Sequence, residues 1–277
     1  IIERSNTSVS PDVIMICGLQ EEGNNISAEQ AVSYKMMLAG RKDVKLVIRV
    51  NENDARKGTD EIDFILNQAS RFVDGTVFVS DWLRDYFMER GWQCKDNVVI
   101  RNGVDGERFR PKDRAGNEKV SIVAHHWSDN YMKGFDVYDK LDEFVGTEAG
   151  SDFSFTYVGR HRGTFKNTTV VSPLAARKLG NELAMHDVYV SASRWDPGPN
   201  HVLEALSCGL PTWVHQDGGG AVEFAGRDHS YSSWDDLTQI LLSRRCFTPN
   251  QVRLASWDDC VDSYVSYLEK IVGKQGI

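Results

Sequence analysis

One rhythm limits what this chain can fold into. Short apolar runs alternate with amphipathic stretches; the alternation stops once, and then it starts again. In the first half, residues 13–17, 45–50, 76–79 and 97–100 are rich in β-branched and apolar residues and read as strands. Between them the period lengthens. Ser27 can cap a helix carrying Ala31, Val32, Met36 and Ala39, which Gly40 can end. Thr59 opens a helix with Ile62, Ile65, Leu66, Ala69 and Val73 on one face. Ser80 caps another, with Leu83, Tyr86 and Phe87, closed by Gly91. Residues 108–118 are polar, include Pro111 and Gly116, and read as a linker. Beyond them come strands at 120–124, 153–158, 188–191 and 212–215, with helices at 135–145 and 200–208, the latter stopped by Gly209. A last helix starts at Ser256 and places Trp257, Val261, Tyr264, Leu268 and Ile271 on one stripe.

Alternation on both sides of one linker implies an α/β fold of two Rossmann-like, parallel-sheet domains. The expected division is 1–112, 113–255, and a helix at 256–277 that returns to the first domain. Open parallel sheets take ligands at the carboxyl ends of their strands, so the expected site is a cleft between the two domains. A length of 277 residues suits two modest domains. The first, with about four strands, is thin for its kind. A formal charge of -8 argues against a nucleic-acid role and against binding anionic lipid except through a local basic face. Five scattered cysteines without a CxxC pair point to free thiols in a reducing compartment. No apolar run approaches the roughly 18 residues needed to span a bilayer. No signal peptide opens the chain and its first residue is Ile1, so the expectation is a trimmed start, a cytoplasmic protein, and at most peripheral membrane contact.

Chemistry concentrates in the second half. Residues 193–211 run from a strand end through Asp196, Gly198 and Pro199 into a helix near Asn200. The amides and dipole of a helix start attract an anion, and Gly198 lets a phosphate approach the backbone. Asp196 and Glu204 can face one ligand from the same side, where carboxylates suit sugar or ribose hydroxyls. Gly218, Gly219 and Gly220 precede a further helix start and can present amides, although a flexible turn explains them equally well. Residues 124–134 also follow a strand. Lys133 can reach a diphosphate as a point charge; His125 and His126 can bond phosphate, while two adjacent histidines alone make a poor metal site. Gly159, Arg160, His161, Arg162 and Gly163 form a locally basic strand end, which a solvated loop also explains.

As an ordered set these segments resemble the retaining GT-B glycosyltransferases of family 4. The match runs from about residue 73 to the end. It comprises "VFVSDWL" at 77–83, "IRNGVDGERFRP" at 100–111, Lys133-Gly134, Val158-Gly159, Asp196 followed by Glu204 and "EALSCGLP", and Gly219-Gly220 with Glu223. The resemblance implies a GT-B enzyme that moves a hexose from GDP-mannose or a UDP-hexose to a hydroxyl of a glycan, lipid or protein, keeping the anomeric configuration, with no cofactor and no bound metal. By the same resemblance Glu204 binds the ribose, Asp196 holds donor hydroxyls, and Lys133 with the backbone of Gly198, Pro199 and Asn200 neutralises the leaving diphosphate. His125, His126, Gly159, Arg160, Gly219 and Gly220 complete the donor side. Arg49, Asn51, Glu52 and Arg56 are the acceptor-side candidates. The sequence departs from the family where Asp196 replaces the usual Glu, where no phosphate-binding Arg stands near His125 and His126, and where the Gly-rich loop of the first domain has no clear equivalent. These departures leave room for a truncated or compact first domain, and for two other readings: a nucleotide-sugar-binding protein without turnover, and a GT-B nucleotide-sugar epimerase.

Overall fold

The computed structural model describes residues 11–18, 28–38, 43–113 and 118–273. Ser27, Ala39, Gly40 and Gly116 of the sequence reading lie outside the described residues. The chain divides into two compact units, Ile1–Asn102 with Asp258–Ile277, and Gly103–Trp257. Its elements in order are β1 (Val13–Ile16), α1 (Ala28–Leu38), β2 (Lys45–Val50), α2 (Asp54–Lys57), α3 (Ile62–Ala69), β3 (Gly75–Phe78), α4 (Asp81–Met88) and β4 (Asn97–Val99). The second half continues with β5 (Val120–His126), α5 (Phe135–Val145), β6 (Phe153–Gly159), β7 (Thr169–Val171), α6 (Ala176–Leu183) and β8 (Val188–Ser191). It closes with α7 (Asn200–Ser207), β9 (Thr212–His215), α8 (Gly220–Ala225), β10 (Ser230–Tyr231), α9 (Trp234–Leu242) and α10 (Trp257–Ile271).

Among the described residues of the first unit, four parallel strands lie in the order β1-β2-β3-β4. Alternate residues of β2 serve opposite faces. Leu46, Ile48 and Val50 join Leu66 of α3 and Leu83 and Phe87 of α4, while Val47 faces Cys260 and Tyr267 of α10. Ser80 caps α4 as expected, its Oγ accepting from Leu83 N at 3.1 Å. Thr59 does not open α3. The carboxylate of Asp54 accepts from Ile62 N and Asp63 N, both at 2.9 Å, and Thr59 donates its hydroxyl to the same group. A charged acceptor serves two orphan amides of a helix start better than one hydroxyl does.

The last helix also differs from its expected stripe. Trp257 and Val261 are 45% and 55% exposed, and the buried line runs through Cys260, Tyr264, Tyr267, Leu268 and Ile271. Tyr267 was missed because its ring is amphipathic. Its hydroxyl accepts from Thr76 N at 3.1 Å and donates to Asp96 O at 3.0 Å, which fastens α10 to β3 and β4.

The second unit holds six parallel strands in the order β10-β9-β8-β5-β6-β7. From β5 the sheet grows through β6 and β7 on one side. From β8 it grows through β9 and β10 on the other, so the order reverses between β5 and β8. Part of the polar stretch after residue 108 packs into this unit: Phe109 is buried and its carbonyl accepts from Ser207 Oγ at 2.6 Å. Gly180 makes room for it within α6, since a Cβ there would lie 2.0 Å from the Arg108 carbonyl oxygen. The sequence reading passed over α6 because a mid-helix glycine reads as a breaker. It also passed over β7 and the two-residue β10, which are too short to show a period.

Candidate functional site

Where the strand order of a parallel sheet reverses, the segments leaving the two central strands turn to opposite faces and leave room for a ligand at their carboxyl ends. Here those segments follow β5 and β8, and the sequence candidates converge on them.

The segment after β5 passes through a short 3-10 turn, Tyr131–Lys133, capped by Asn130, whose Oδ1 accepts from Met132 N at 2.8 Å. It ends at Gly134, with φ +87° and no room for a side chain: a Cβ would sit 2.2 Å from the Ala192 carbonyl oxygen. The segments after β5 and β8 therefore touch backbone to backbone. Arg194 N donates to Met132 O at 2.8 Å, and the Arg194 guanidinium grips Asp136 through two bonds of 2.8 and 2.7 Å. That guanidinium holds the Asp136 carboxyl below its ordinary range.

At the centre, Lys133 Nζ lies 2.6 Å from Asp196 Oδ2, with both side chains almost fully buried. Ser193 Oγ donates to the same carboxylate oxygen at 3.1 Å. The segment after β9 seals the back of Asp196. Trp195 N donates to Asp217 O at 2.7 Å, Asp196 N to Gly218 O at 3.2 Å, and Gly220 N to Asp196 O at 2.8 Å. Trp195 takes φ +49°, the left-handed region that a bulky residue enters at a cost. Gly219, at φ +67°, is required because a Cβ would stand 2.9 Å from Asp196 O.

Glu204 rises from the second turn of α7, and its Oε2 lies 2.8 Å from His125 Nε2. His126 Nε2 meets the Tyr138 hydroxyl at 2.7 Å, and the same oxygen accepts from Ala192 N at 3.0 Å. Burial pushes the Tyr138 hydroxyl far above its ordinary pKa, so it stays protonated. His201 stacks edge-on to His126 at 4.6 Å and bonds Ser191 Oγ at 2.9 Å. His215, at the end of β9, accepts from Asp217 N through Nδ1; burial first, then the nearby Arg194 charge, lowers its pKa.

The segment after β6 lies beside that after β5, since Gly159 pairs with His126. Gly159 has φ +129°, and a Cβ would lie 1.9 Å from the His126 carbonyl oxygen. Arg160 places its guanidinium 4.7 Å from the centre of the Trp127 ring, and Arg162 donates through Nε to the Asp129 carbonyl.

The structure thus brings Lys133 to Asp196, His125 to Glu204, and Gly219 and Gly220 to the back of Asp196. Gly198 and Pro199 precede α7, which starts at Asn200 without a side-chain cap. Two expectations change. Lys133 is neutralised by Asp196 before any ligand arrives. In the triple-glycine segment the Gly218 amide donates to His215 O and the Gly220 amide to Asp196 O, so these two serve loop packing rather than an anion. Sequence reasoning missed Ser193, Arg194 with Asp136, Tyr138, His201 and Trp127. Ser193, Arg194 and His201 stood inside the segment it singled out; Ser193 and His201 bond within it or beside it, to Asp196 and Ser191, while the partner of Arg194, Asp136, lies 58 positions away.

In the first unit Arg49, Asn51 and Arg56 sit at and beyond the carboxyl end of β2. Arg49 donates to Tyr264 Oη at 3.0 Å and Asn102 Oδ1 at 2.9 Å. With Gly18, Ile48, Asn51, Glu52 and Leu66 it lines a shallow depression. Arg56 lies in α2, its amide bonded to the Asn53 cap at 2.8 Å. Among the described residues, no three His, Cys, Asp or Glu side chains are grouped to hold a metal, and no helix is long and apolar enough to cross a membrane.

No family model matches the chain, and no curated protein matches it in sequence. Solved structures do match. Sucrose-phosphate synthase from Thermosynechococcus elongatus aligns with a TM-score of 0.68 and 11% identity, over 95% of this chain and 74% of its own. HepE from Anabaena, in complex with UDP-glucose, gives 0.63 and 14%, over 95% and 78%. TarM of S. aureus gives 0.65 and 12%, over 92% of this chain and 54% of its own. The chain therefore spans about half the length of TarM. At these identities the likeness shows the fold: α/β with two parallel-sheet units, the GT-B class that the sequence led us to expect.

Proposed function

We propose that this chain is a glycosyltransferase that moves a hexose from a nucleotide diphosphate sugar to a hydroxyl of a glycan, lipid or protein acceptor, with retention of configuration and without a metal. The observation that carries this reading is the gathering of Asp196, Lys133 and Glu204 at the strand-order reversal of the second unit. The assigned roles follow from chemistry. Glu204, oriented by His125, accepts the two ribose hydroxyls. Asp196, its orientation fixed by Ser193 and Lys133, accepts hydroxyls of the sugar. The positive end of α7, with Gly198, Pro199 and Asn200, faces the diphosphate as charge develops on it. A UDP-hexose is the preferred donor, supported by the likeness to HepE in complex with UDP-glucose; GDP-mannose is the competitor. Acceptor recognition is assigned to Arg49, Asn51 and Arg56 of the first unit, and the working compartment to the cytoplasm.

The experiment is incubation with UDP-glucose or GDP-mannose and a panel of hydroxyl acceptors. Proton NMR then reads the anomeric configuration of the product, with and without a chelator. An α-linked product from an α-linked donor, formed equally with chelator, supports the reading; an inverted product or a metal requirement sinks that part of it. A second reading has one observation in its favour: the Lys133–Asp196 pair is already closed on itself, as in a protein that binds sugar nucleotides without turning them over. Donor binding without transfer or donor hydrolysis would select it.

A further inference from the structure

Resting on that reading, we infer that the anionic part of the donor is held by the Arg160–Arg162 strand end after β6, with Trp127 as its backing, and not by Lys133. The argument is one of charge. A diphosphate brings several negative charges to the carboxyl ends of β5 and β8. The cations nearest those ends are already cancelled. Lys133 is paired with Asp196 in burial, and Arg194 with Asp136 through two bonds. Pulling Lys133 away would strand a buried carboxylate, which is costlier than leaving the pair intact. Glu204, Asp129 and Asp217 add further negative charge to the same segments.

Arg160 and Arg162 are the exception. Among the described residues neither guanidinium lies within ion-pair distance of a carboxylate. Arg160 rests on an aromatic face, and Arg162 spends one N–H on a carbonyl. A cation over a ring keeps its full charge, and a guanidinium presents a planar fork that fits phosphate oxygens. Trp127 is 68% exposed, unusual for so large a ring, and it holds Arg160 in place. The register puts the group within reach of the ribose site. Trp127 is two residues beyond His125, the partner of Glu204, about 7 Å along an extended chain.

The test compares a nucleoside diphosphate with its nucleoside. The wild-type chain and an Arg160→Gln/Arg162→Gln variant are titrated with UDP, GDP and ADP by calorimetry, and with the matching nucleosides by ligand-observed NMR. Both side chains are exposed, so the variant should keep its fold, and its melting curve checks this. The expected result is a loss of at least about tenfold in affinity for the diphosphate that the wild type binds, with its nucleoside changed by less than about twofold. Raising the salt should weaken wild-type binding more than variant binding. Equal diphosphate affinity in wild type and variant overturns the inference and leaves the transferase reading standing. A parallel loss for nucleoside and diphosphate also overturns it, because the loop would then be holding the base. Failure of the wild type to bind any diphosphate removes the transferase reading itself, and this inference with it.

Discussion

Both units are parallel sheets with helical crossovers, yet among the described residues only the second has a place where the strand order turns back. In the first unit the order is β1-β2-β3-β4, and successive strands are added in one direction. In the second, growth proceeds away from β5 on one side and away from β8 on the other. The segments at that reversal and those beside it, after β6 and β9, lie so close that no Cβ fits at Gly134, Gly159 or Gly219. Left-handed glycines of the first unit, Gly58 and Gly91, meet nothing within 4 Å. A parallel sheet alone offers no special place for a ligand, whereas a reversal lined by closely packed loops does, and here it also holds the buried Lys133–Asp196 ion pair.

The largest way to break this contrast is Asp196→Ala. Leaving Lys133 buried without its carboxylate should cost about 3–5 kcal/mol in urea unfolding. It should also cut transfer about 10²- to 10³-fold. The double variant Lys133→Met/Asp196→Leu should recover most of the stability and none of the activity. A single variant as stable as wild type would show that the pair is not the buried anchor described here. Next comes Gly134→Ala. Its Cβ meets the Ala192 carbonyl and its φ is left-handed, so a loss of about 2–3 kcal/mol is expected. Gly58→Ala in the first unit shares the backbone strain but not the clash, and should cost about 1 kcal/mol. Equal urea midpoints for these two variants would remove the distinction between packed and open turns.

The smallest effect is on pH. His215 has its pKa lowered in the fold from an ordinary 6.5, and Asp136 and Asp54 from an ordinary 3.8. For Asp54 burial acts upward, but the bonds from Thr59, Asp63, Ile62 and Glu61 outweigh it. A depressed folded pKa gives stability that is complete above the unfolded value and is lost as pH falls through the folded one. The second unit should therefore begin to weaken below about pH 6.5 through His215, while the first holds until its carboxylates titrate below about 3.8. Melting temperatures between pH 7.5 and 5 should fall in the wild type and stay flatter in His215→Gln. Identical slopes would contradict the assignment.

The fold class was legible because hydrophobic period and cap residues are local: Ser80, Gly209 and the helix start at Asn200 stand where the pattern put them. The last helix slipped because Trp257 and Val261 look apolar in sequence but are exposed, while the amphipathic Tyr267 is buried by two backbone partners. Within the site, Asp196 and Glu204 were found because they share one segment. Their hydrogen-bond partners, Lys133 and His125, were singled out for other reasons, since contacts between residues 63 and 79 positions apart leave no local mark. The amide of Gly220, a candidate anion donor in sequence, is spent on Asp196 O, and a glycine that admits a phosphate and one that admits a neighbouring carbonyl look alike in sequence.

The central proposal is that the strand-order reversal of the second unit, and not Arg49 of the first, binds the sugar nucleotide. Calorimetric titration with UDP-glucose tests it on three proteins: wild type, Glu204→Ala and Arg49→Ala. The account predicts binding by wild type and Arg49→Ala, and a loss of at least about tenfold in Glu204→Ala, where the charge-assisted bonds to the ribose are gone. Undiminished binding by Glu204→Ala, or a loss confined to Arg49→Ala, would contradict it.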